Sequence, residues 1–248
     1  MTTFWSNWFS EMPARDLKTH QVMGPLGPVA VPAPRRPFQC LVTDMDECLI
    51  HTWEIPKKQY MQTFNTPEAF PFRHQLFGVE MNARNPDTLI YGIFRPGLID
   101  FLNYAFRRFD YVILWSAGTT YYVNQITEYM FSKTDRMPDN VFSRPFCDSH
   151  PKEEDYLTKP LKKLQQINPE VQLSNIFFLD DNPDTSYHNK TNHLLIPKWK
   201  PAPTVAACKD ALAKDRYLYD LIEWLELPEV KAAEDVRRLN KGSVFKVL

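Results

Sequence analysis

Six polar side chains in this chain could act on a phosphate ester if they met in one place. Asp44 and Asp46 stand two residues apart in Asp44-Met45-Asp46-Glu47, Ser116 opens Ser116-Ala117-Gly118, and Asp180 and Asp181 are adjacent in Asp180-Asp181-Asn182. Lys159 lies between Ser116 and Asp180 in the chain. Carboxylates gathered in one crevice repel one another until a cation joins them. A hard, oxygen-seeking divalent ion such as Mg2+ suits that role, keeping waters and a substrate phosphate as its other ligands. A metal and a lysine together neutralise phosphate oxygens that would otherwise repel an attacking carboxylate. One carboxylate could then attack phosphorus and form an aspartyl-phosphate. A second, two residues on, could protonate the leaving oxygen and later take a proton from water. Each aspartate taken singly is also explained as a cap or turn residue at a strand end.

These residues converge only if three short apolar runs are parallel strands. Gln39–Thr43, Tyr111–Trp115 and Asn175–Leu179 are apolar on both faces, as buried strands of a parallel sheet are. Each run ends in one of the polar clusters, and in open α/β sheets the ligand site lies beyond the carboxyl ends of the strands. Helical spacing is read over Gly97–Arg108, Tyr121–Phe131, Leu157–Ile167, Tyr217–Leu227 and Pro228–Leu239. The alternation predicts a doubly wound α/β fold.

Gly24–Pro37 contains Pro25, Pro28, Pro32, Pro34 and Pro37 and reads as an extended connector, so two regions are expected: 1–37, and a globular domain over 38–248. Near the start, Phe4, Trp5, Trp8 and Phe9 would form one aromatic face on a helix, able to dock on the domain, meet a partner or touch a membrane surface. With 29 Lys+Arg against 30 Asp+Glu, the chain carries no global field favouring direct nucleic-acid binding. No apolar stretch is long enough for a membrane span and no signal peptide is read. The four cysteines, at 40, 48, 147 and 208, show no metal-ligand spacing and read as packed, reduced thiols of a nuclear or cytoplasmic protein.

Five segments in order resemble the FCP/SCP-type C-terminal-domain phosphatases of the HAD superfamily: Asp44–Thr52 (the first, D-x-D motif), Phe94-Arg95-Pro96-Gly97, Leu114-Trp115-Ser116-Ala117, Tyr156–Leu161 around the lysine, and Phe178–Pro183. The similarity spans about residues 38 to 240 and includes Glu234-Asp235-Val236-Arg237. It implies a HAD-like doubly wound parallel sheet and Mg2+-dependent hydrolysis of a phosphomonoester. By position, Asp44 would be the nucleophile, and Asp46 the general acid/base with its backbone carbonyl on the metal. Ser116 and Lys159 would hold phosphoryl oxygens, and Arg144 would contact substrate phosphate, although a loop arginine is more often a surface salt bridge. Asp181 would be a metal ligand, with Asp180 as a further ligand or its support.

Departures from the family pattern are Cys48 for threonine, Ser116 for threonine, Asp181 where many small members carry asparagine, and Pro160 for aspartate beside the lysine; the family's second arginine after Arg144 is missing. The stretches between Asp46, Ser116 and Lys159 leave no room for a large cap domain, only for an inserted hairpin around Phe64–Met81 flanking the crevice. An open crevice favours a phosphate displayed on a protein chain over a small sugar phosphate, and the resemblance implies phosphoserine or phosphothreonine in a disordered peptide such as the tail of RNA polymerase II. Two other readings stay open: a HAD phosphatase for a small molecule, and a catalytically silent binding module on the same fold.

Overall fold

The computed structural model describes residues 37–245 apart from 81–88, 135 and 154, together with the backbone of 21–24 and 27–30. Those last two segments, β1 (Gln21–Gly24) and β2 (Gly27–Ala30), pair antiparallel as a small hairpin within a unit of its own over Met1–Arg36. The aromatic segment at residues 4–9 lies outside the described residues.

From residue 37 onward the strands are β3 (Cys40–Thr43), β4 (Ile50–Trp53), β5 (Leu76–Glu80), β6 (Leu89–Phe94), β7 (Tyr111–Trp115), β8 (Asn140–Phe142), β9 (Asp148–Ser149), β10 (Leu157–Thr158), β11 (Ile176–Asp180) and β12 (His193–Leu195). The helices are α1 (Lys57–Phe64), α2 (Leu98–Arg108), α3 (Thr120–Phe131), α4 (Val205–Lys214), α5 (Tyr217–Leu225) and the single turn α6 (Pro228–Lys231). A parallel five-stranded sheet has the order β12-β11-β3-β7-β8. The chain leaves β3 outward through β7 and β8, then returns to lay β11 and β12 on the other side. The topological switch point therefore falls at the carboxyl end of β3, where Asp44 begins.

The apolar runs form strands because the sheet is covered on both faces. Leu41, Val112, Leu114, Phe177 and Leu179 enter one core, shared with α2, α3 and α5. Their neighbours Cys40, Val42, Ile113, Trp115, Ile176 and Phe178 enter the other, with Leu161 and Leu164. Strand side chains alternate between faces, so continuous apolar runs fill two cores. Thr43 is opposite both Leu114 and Leu179, and the Asp44 amide donates to the Leu179 carbonyl at 2.9 Å. This register puts Asp44, Ser116 and Asp181 along one edge.

Three expectations change. Leu157–Ile167 is not an α-helix: β10 pairs antiparallel with β9, and a 3-10 turn follows over Leu161–Gln166. Pro160 has no N–H to donate and disfavours the α conformation in the residue before it, so the chain stays open at Lys159. Pro228–Leu239 is helical only at α6, after which Asp235 caps a 3-10 turn over Val236–Arg238 through the Arg237 amide. The inserted region is a three-stranded antiparallel sheet, β4-β6-β5, rather than a hairpin at Phe64–Met81. Pro67 and Pro71 hold Pro67–Gln75 in 3-10 turns, and the insert packs its own core of Trp53, Phe64, Phe72, Tyr91 and Ile93 with Trp199 and Cys208.

Candidate active site

The first motif folds as a tight loop between β3 and β4. The Leu49 and Ile50 amides both donate to the Met45 carbonyl, at 2.9 and 3.1 Å, and the Glu47 amide donates to the Ile50 carbonyl at 2.7 Å. Glu47 adopts a left-handed backbone, φ 58°, at a cost of roughly 1 kcal/mol for a residue with a side chain. That bend leaves Asp44 and Asp46 facing one crevice while Met45, Cys48 and Leu49 go to the core.

Arg95 fixes the loop from beneath. Its side chain is fully buried; Nη1 donates to the Cys48 carbonyl at 2.8 Å, Nη2 to the Pro197 carbonyl at 2.7 Å, and Nη2 and Nε to the Asp215 carboxylate at 2.8 and 3.1 Å. The planar guanidinium suits three partners in a fixed fork. Gly97, two residues on, has φ 76° at the start of α2, and a Cβ there would come within 2.9 Å of the Tyr219 ring. The Arg-Pro-Gly motif thus joins the loop, the segment after β12 and the start of α5.

Lys159 is only 1% exposed and donates from Nζ to Asp44 Oδ1 at 2.6 Å and Asp180 Oδ2 at 2.7 Å. Its backbone is held by the Thr185 carbonyl and the Asn189 side-chain amide. Burial pushes the ammonium down, but Asp180 and Asp44 overturn that and raise it above the ordinary lysine range, so Lys159 is charged. One ammonium does not balance the carboxylates around it. Burial raises Asp44 well above its usual value; Lys159 opposes this, while Asp180 and Asp181 add to it. Asp181 is raised by burial and by Asp180, against Lys198. Asp44, Asp180 and Asp181 each offer an oxygen within 4.8 Å of the others. An all-carboxylate donor set with surplus negative charge fits a hard divalent cation.

The Asp46 carboxylate stands apart from that trio. Ser116 Oγ donates to its Oδ2 at 3.3 Å and the Tyr122 hydroxyl donates to its Oδ1. Tyr122 also meets Thr52 Oγ1 at 3.2 Å, tying α3 to the insert. Burial raises the Asp46 pKa despite those hydrogen bonds, which suits a group that must hold a proton. Ser116 Oγ accepts from the Gly118 amide at 3.0 Å, and a Cβ at Gly118 would lie 2.8 Å from the Tyr122 ring.

The open crevice, about 210 Å³, is lined by Asp44, Asp46, Glu47, Ser116, Ala117, Gly118, Lys159, Asp180, Asp181, Asn182, Thr185 and Lys198. Six of the seven expected residues are among them. Arg144 is not: its Nε donates to the Ala117 carbonyl at 2.9 Å and its amide to the Gly118 carbonyl at 2.9 Å, so it braces the Ser116 loop from the side. Tyr122 and Lys198 escaped the sequence reading. An aromatic in the first turn of an amphipathic helix carries no distinguishing signal, whereas the alternation in Pro197-Lys198-Trp199-Lys200-Pro201 was visible.

A HAD-like phosphatase is the class of protein to which this sheet order and crevice correspond. Residues 39–237 match the family described as NLI interacting factor-like phosphatase, and the chain belongs to that family. Its fold is similar to that of fission yeast RNA polymerase II CTD phosphatase Fcp1, in an arginine-to-alanine variant bound to beryllium fluoride, with a TM-score of 0.52 and 17% identity over 76% of this chain. The chain spans 62% of that structure, less than two thirds of its length, and at this identity the likeness concerns the fold alone. A second structure, described as Fcp1, an essential RNA polymerase II CTD phosphatase, aligns at 18% identity with a TM-score of 0.49, over 82% of this chain and 59% of that one. No curated protein matches the chain. Among the described residues, no helix is long and apolar enough to cross a membrane.

Proposed function

We propose that this phosphatase hydrolyses phosphoserine or phosphothreonine in a disordered peptide, such as an RNA polymerase II C-terminal tail, through an aspartyl-phosphate on Asp44. The observation that carries the reading is the placement of the two first-motif carboxylates. Asp44 is paired to a buried lysine beside two further carboxylates, while Asp46 faces the same crevice held by two hydroxyls.

Asp44 Oδ attacks phosphorus and the ester P–O bond breaks. Asp46 gives its proton to the departing serine or threonine oxygen. Lys159 and Ser116 offset charge on the phosphoryl oxygens. Asp46, now ionised, takes a proton from a water that attacks the aspartyl-phosphate; inorganic phosphate leaves and Asp44 is restored. Asp44, Asp180, Asp181 and the Asp46 carbonyl would hold Mg2+. When bound, the ion would supply positive charge to the phosphoryl group and lessen its repulsion of Asp44.

Among the described residues no large cap covers the crevice, which favours a phosphate displayed on a chain over a small sugar phosphate. The test is phosphate release from a phosphoserine heptad-repeat peptide with and without Mg2+, beside Asp44→Asn. Turnover that needs both the ion and Asp44 is expected. If only small aryl or sugar phosphates are hydrolysed, the peptide reading is wrong; if folded protein hydrolyses none of these, the chain is a binding module.

A further inference from the structure

Beside the crevice lies a short extended strap whose arrangement the phosphatase chemistry leaves unexplained. Pro197-Lys198-Trp199-Lys200-Pro201 is fastened along its length. The Pro197 carbonyl accepts from Arg95, the Trp199 amide donates to the Glu47 carbonyl at 2.6 Å, and the Pro201 carbonyl accepts from Trp53 Nε1 at 2.8 Å. Trp199 is buried at 3% exposure. Alternate residues of an extended chain share a face, so with Trp199 turned inward Lys198 and Lys200 project outward together. Their side chains are 57% and 65% exposed. Flanking prolines keep the strap extended, so little backbone order remains to be imposed when a ligand arrives.

The lysines are only partly matched by acids. Lys200 Nζ is 2.7 Å from Glu47, and Lys198 Nζ is 3.5 Å from the same carboxylate and 3.6 Å from Asp181. One glutamate is therefore shared by two ammonium groups, and the contacts of Lys198 exceed a normal hydrogen-bond distance. Outside the crevice, both lysines line an open groove of about 440 Å³ that runs to Ala207, Asp210 and Lys214 on α4. The acids of that groove are engaged elsewhere: Asp210 pairs with Lys214 at 2.7 Å, and Asp215 with Arg95. Lys198 lines both the groove and the crevice, so the two adjoin at its side chain.

We propose that Lys198 and Lys200 form a second anion seat that binds a negatively charged residue, phosphorylated or acidic, flanking the scissile phosphoserine of the same peptide. The proposal rests on the peptide-phosphatase reading above and adds a specificity to it. The seat lies on one side of the crevice, so it serves one flank of the substrate. A lysine pair suits a compact, hydrated anion such as a phosphoryl group, which needs no planar fork.

The experiment measures kcat/KM for five peptides: one phosphoserine alone, a second phosphoserine two or three residues to its N-terminal side, the same to its C-terminal side, and glutamate in each of those two flanking places. A charge on one flank should raise kcat/KM roughly two- to fivefold at low salt, the upper part of the range for exposed ion pairs, and the advantage should vanish at high ionic strength. In Lys200→Met the ratio of flanked to unflanked peptide should fall toward one, while Lys200→Arg retains most of it. Equal gains from glutamate and phosphoserine would assign the seat to acidic residues generally, and a larger gain from phosphoserine to phosphorylated ones. A ratio of one in the wild type, equal gains on both flanks, or an unchanged ratio in a Lys200→Met protein of normal melting temperature would each overturn the seat. Those results would leave the peptide reading intact, whereas hydrolysis of aryl phosphate with none of the peptides would remove both.

Discussion

Replacing Tyr122 by phenylalanine tests whether Asp46 is the proton donor. The ring stays and fills the same space against Gly118; only the hydroxyl that donates to Asp46 Oδ1 and meets Thr52 is lost. Asp46 becomes ionised as it gives up its proton, and a hydrogen bond to a charged group is worth about 1.5–3 kcal/mol, so losing it should slow the step roughly ten- to a hundredfold. Folding should suffer less, by ~1 kcal/mol or a few degrees of melting temperature for a domain of this size. The informative comparison is between leaving groups. A serine alkoxide needs a proton as it departs, and p-nitrophenolate does not. The quantity to measure is kcat/KM, which covers the steps through formation of the aspartyl-phosphate. Tyr122→Phe should lower it roughly ten- to a hundredfold for a phosphoserine peptide and by less than about threefold for p-nitrophenyl phosphate. An equal loss on both substrates would mean that Tyr122 supports the loop rather than the acid, and no loss on either would refute the positioning argument.

Other outcomes follow from the same geometry. Arg95→Met strands the Asp215 carboxylate and two carbonyls in the interior, so it should cost about 3–5 kcal/mol and lower the melting temperature by roughly 10 °C, read by circular dichroism. Mg2+ at about a hundred times its Kd should stabilise the wild type by ~2.7 kcal/mol, and Asp181→Asn should need more ion for the same rise in a thermal-shift titration. Cysteine labelling of native protein should begin at Cys147, the partly exposed thiol. Burial pushes the Cys208 thiol up to about 11 and also raises Cys40 and Cys48, so mass spectrometry after mild alkylation at pH 8 should find those three unmodified.

The main architecture was legible because β3, β7 and β11 are apolar on both faces and each ends in the polar residues that line the crevice. Small errors came at boundaries: β11 runs one residue later than read, because the Asn175 side chain caps a turn by accepting from the Gln172 amide. The larger misreadings share a cause. Around Lys159 the spacing of Leu161 and Leu164 suggested a helix, but Pro160 overrules periodicity, and that break is what lets Lys159 reach Asp44 and Asp180. In the insert, aromatic residues suggested strands where Pro67 and Pro71 impose 3-10 turns. Arg95 was visible as a motif, yet its three partners are far apart in sequence and no local pattern names them. The place of Arg144 in the motif order implies a phosphate contact, and no local pattern shows that its side chain also donates to a backbone carbonyl of the Ser116 loop.

The Arg95 junction also bears on when, during synthesis, the crevice can take shape. Its contacts come from residues 48, 197 and 215, so the guanidinium has its full set of partners only after the end of α4 has been made. Until then a nascent chain could pair β3 with β7 and still carry an uncompensated cation beneath the Asp44 loop, which favours keeping that layer open to water. Long-range closure of this kind is slow, because loop entropy is lost before the contacts that reward it exist. The chain should therefore acquire its active geometry late and in one step, with no half-built phosphatase on the ribosome.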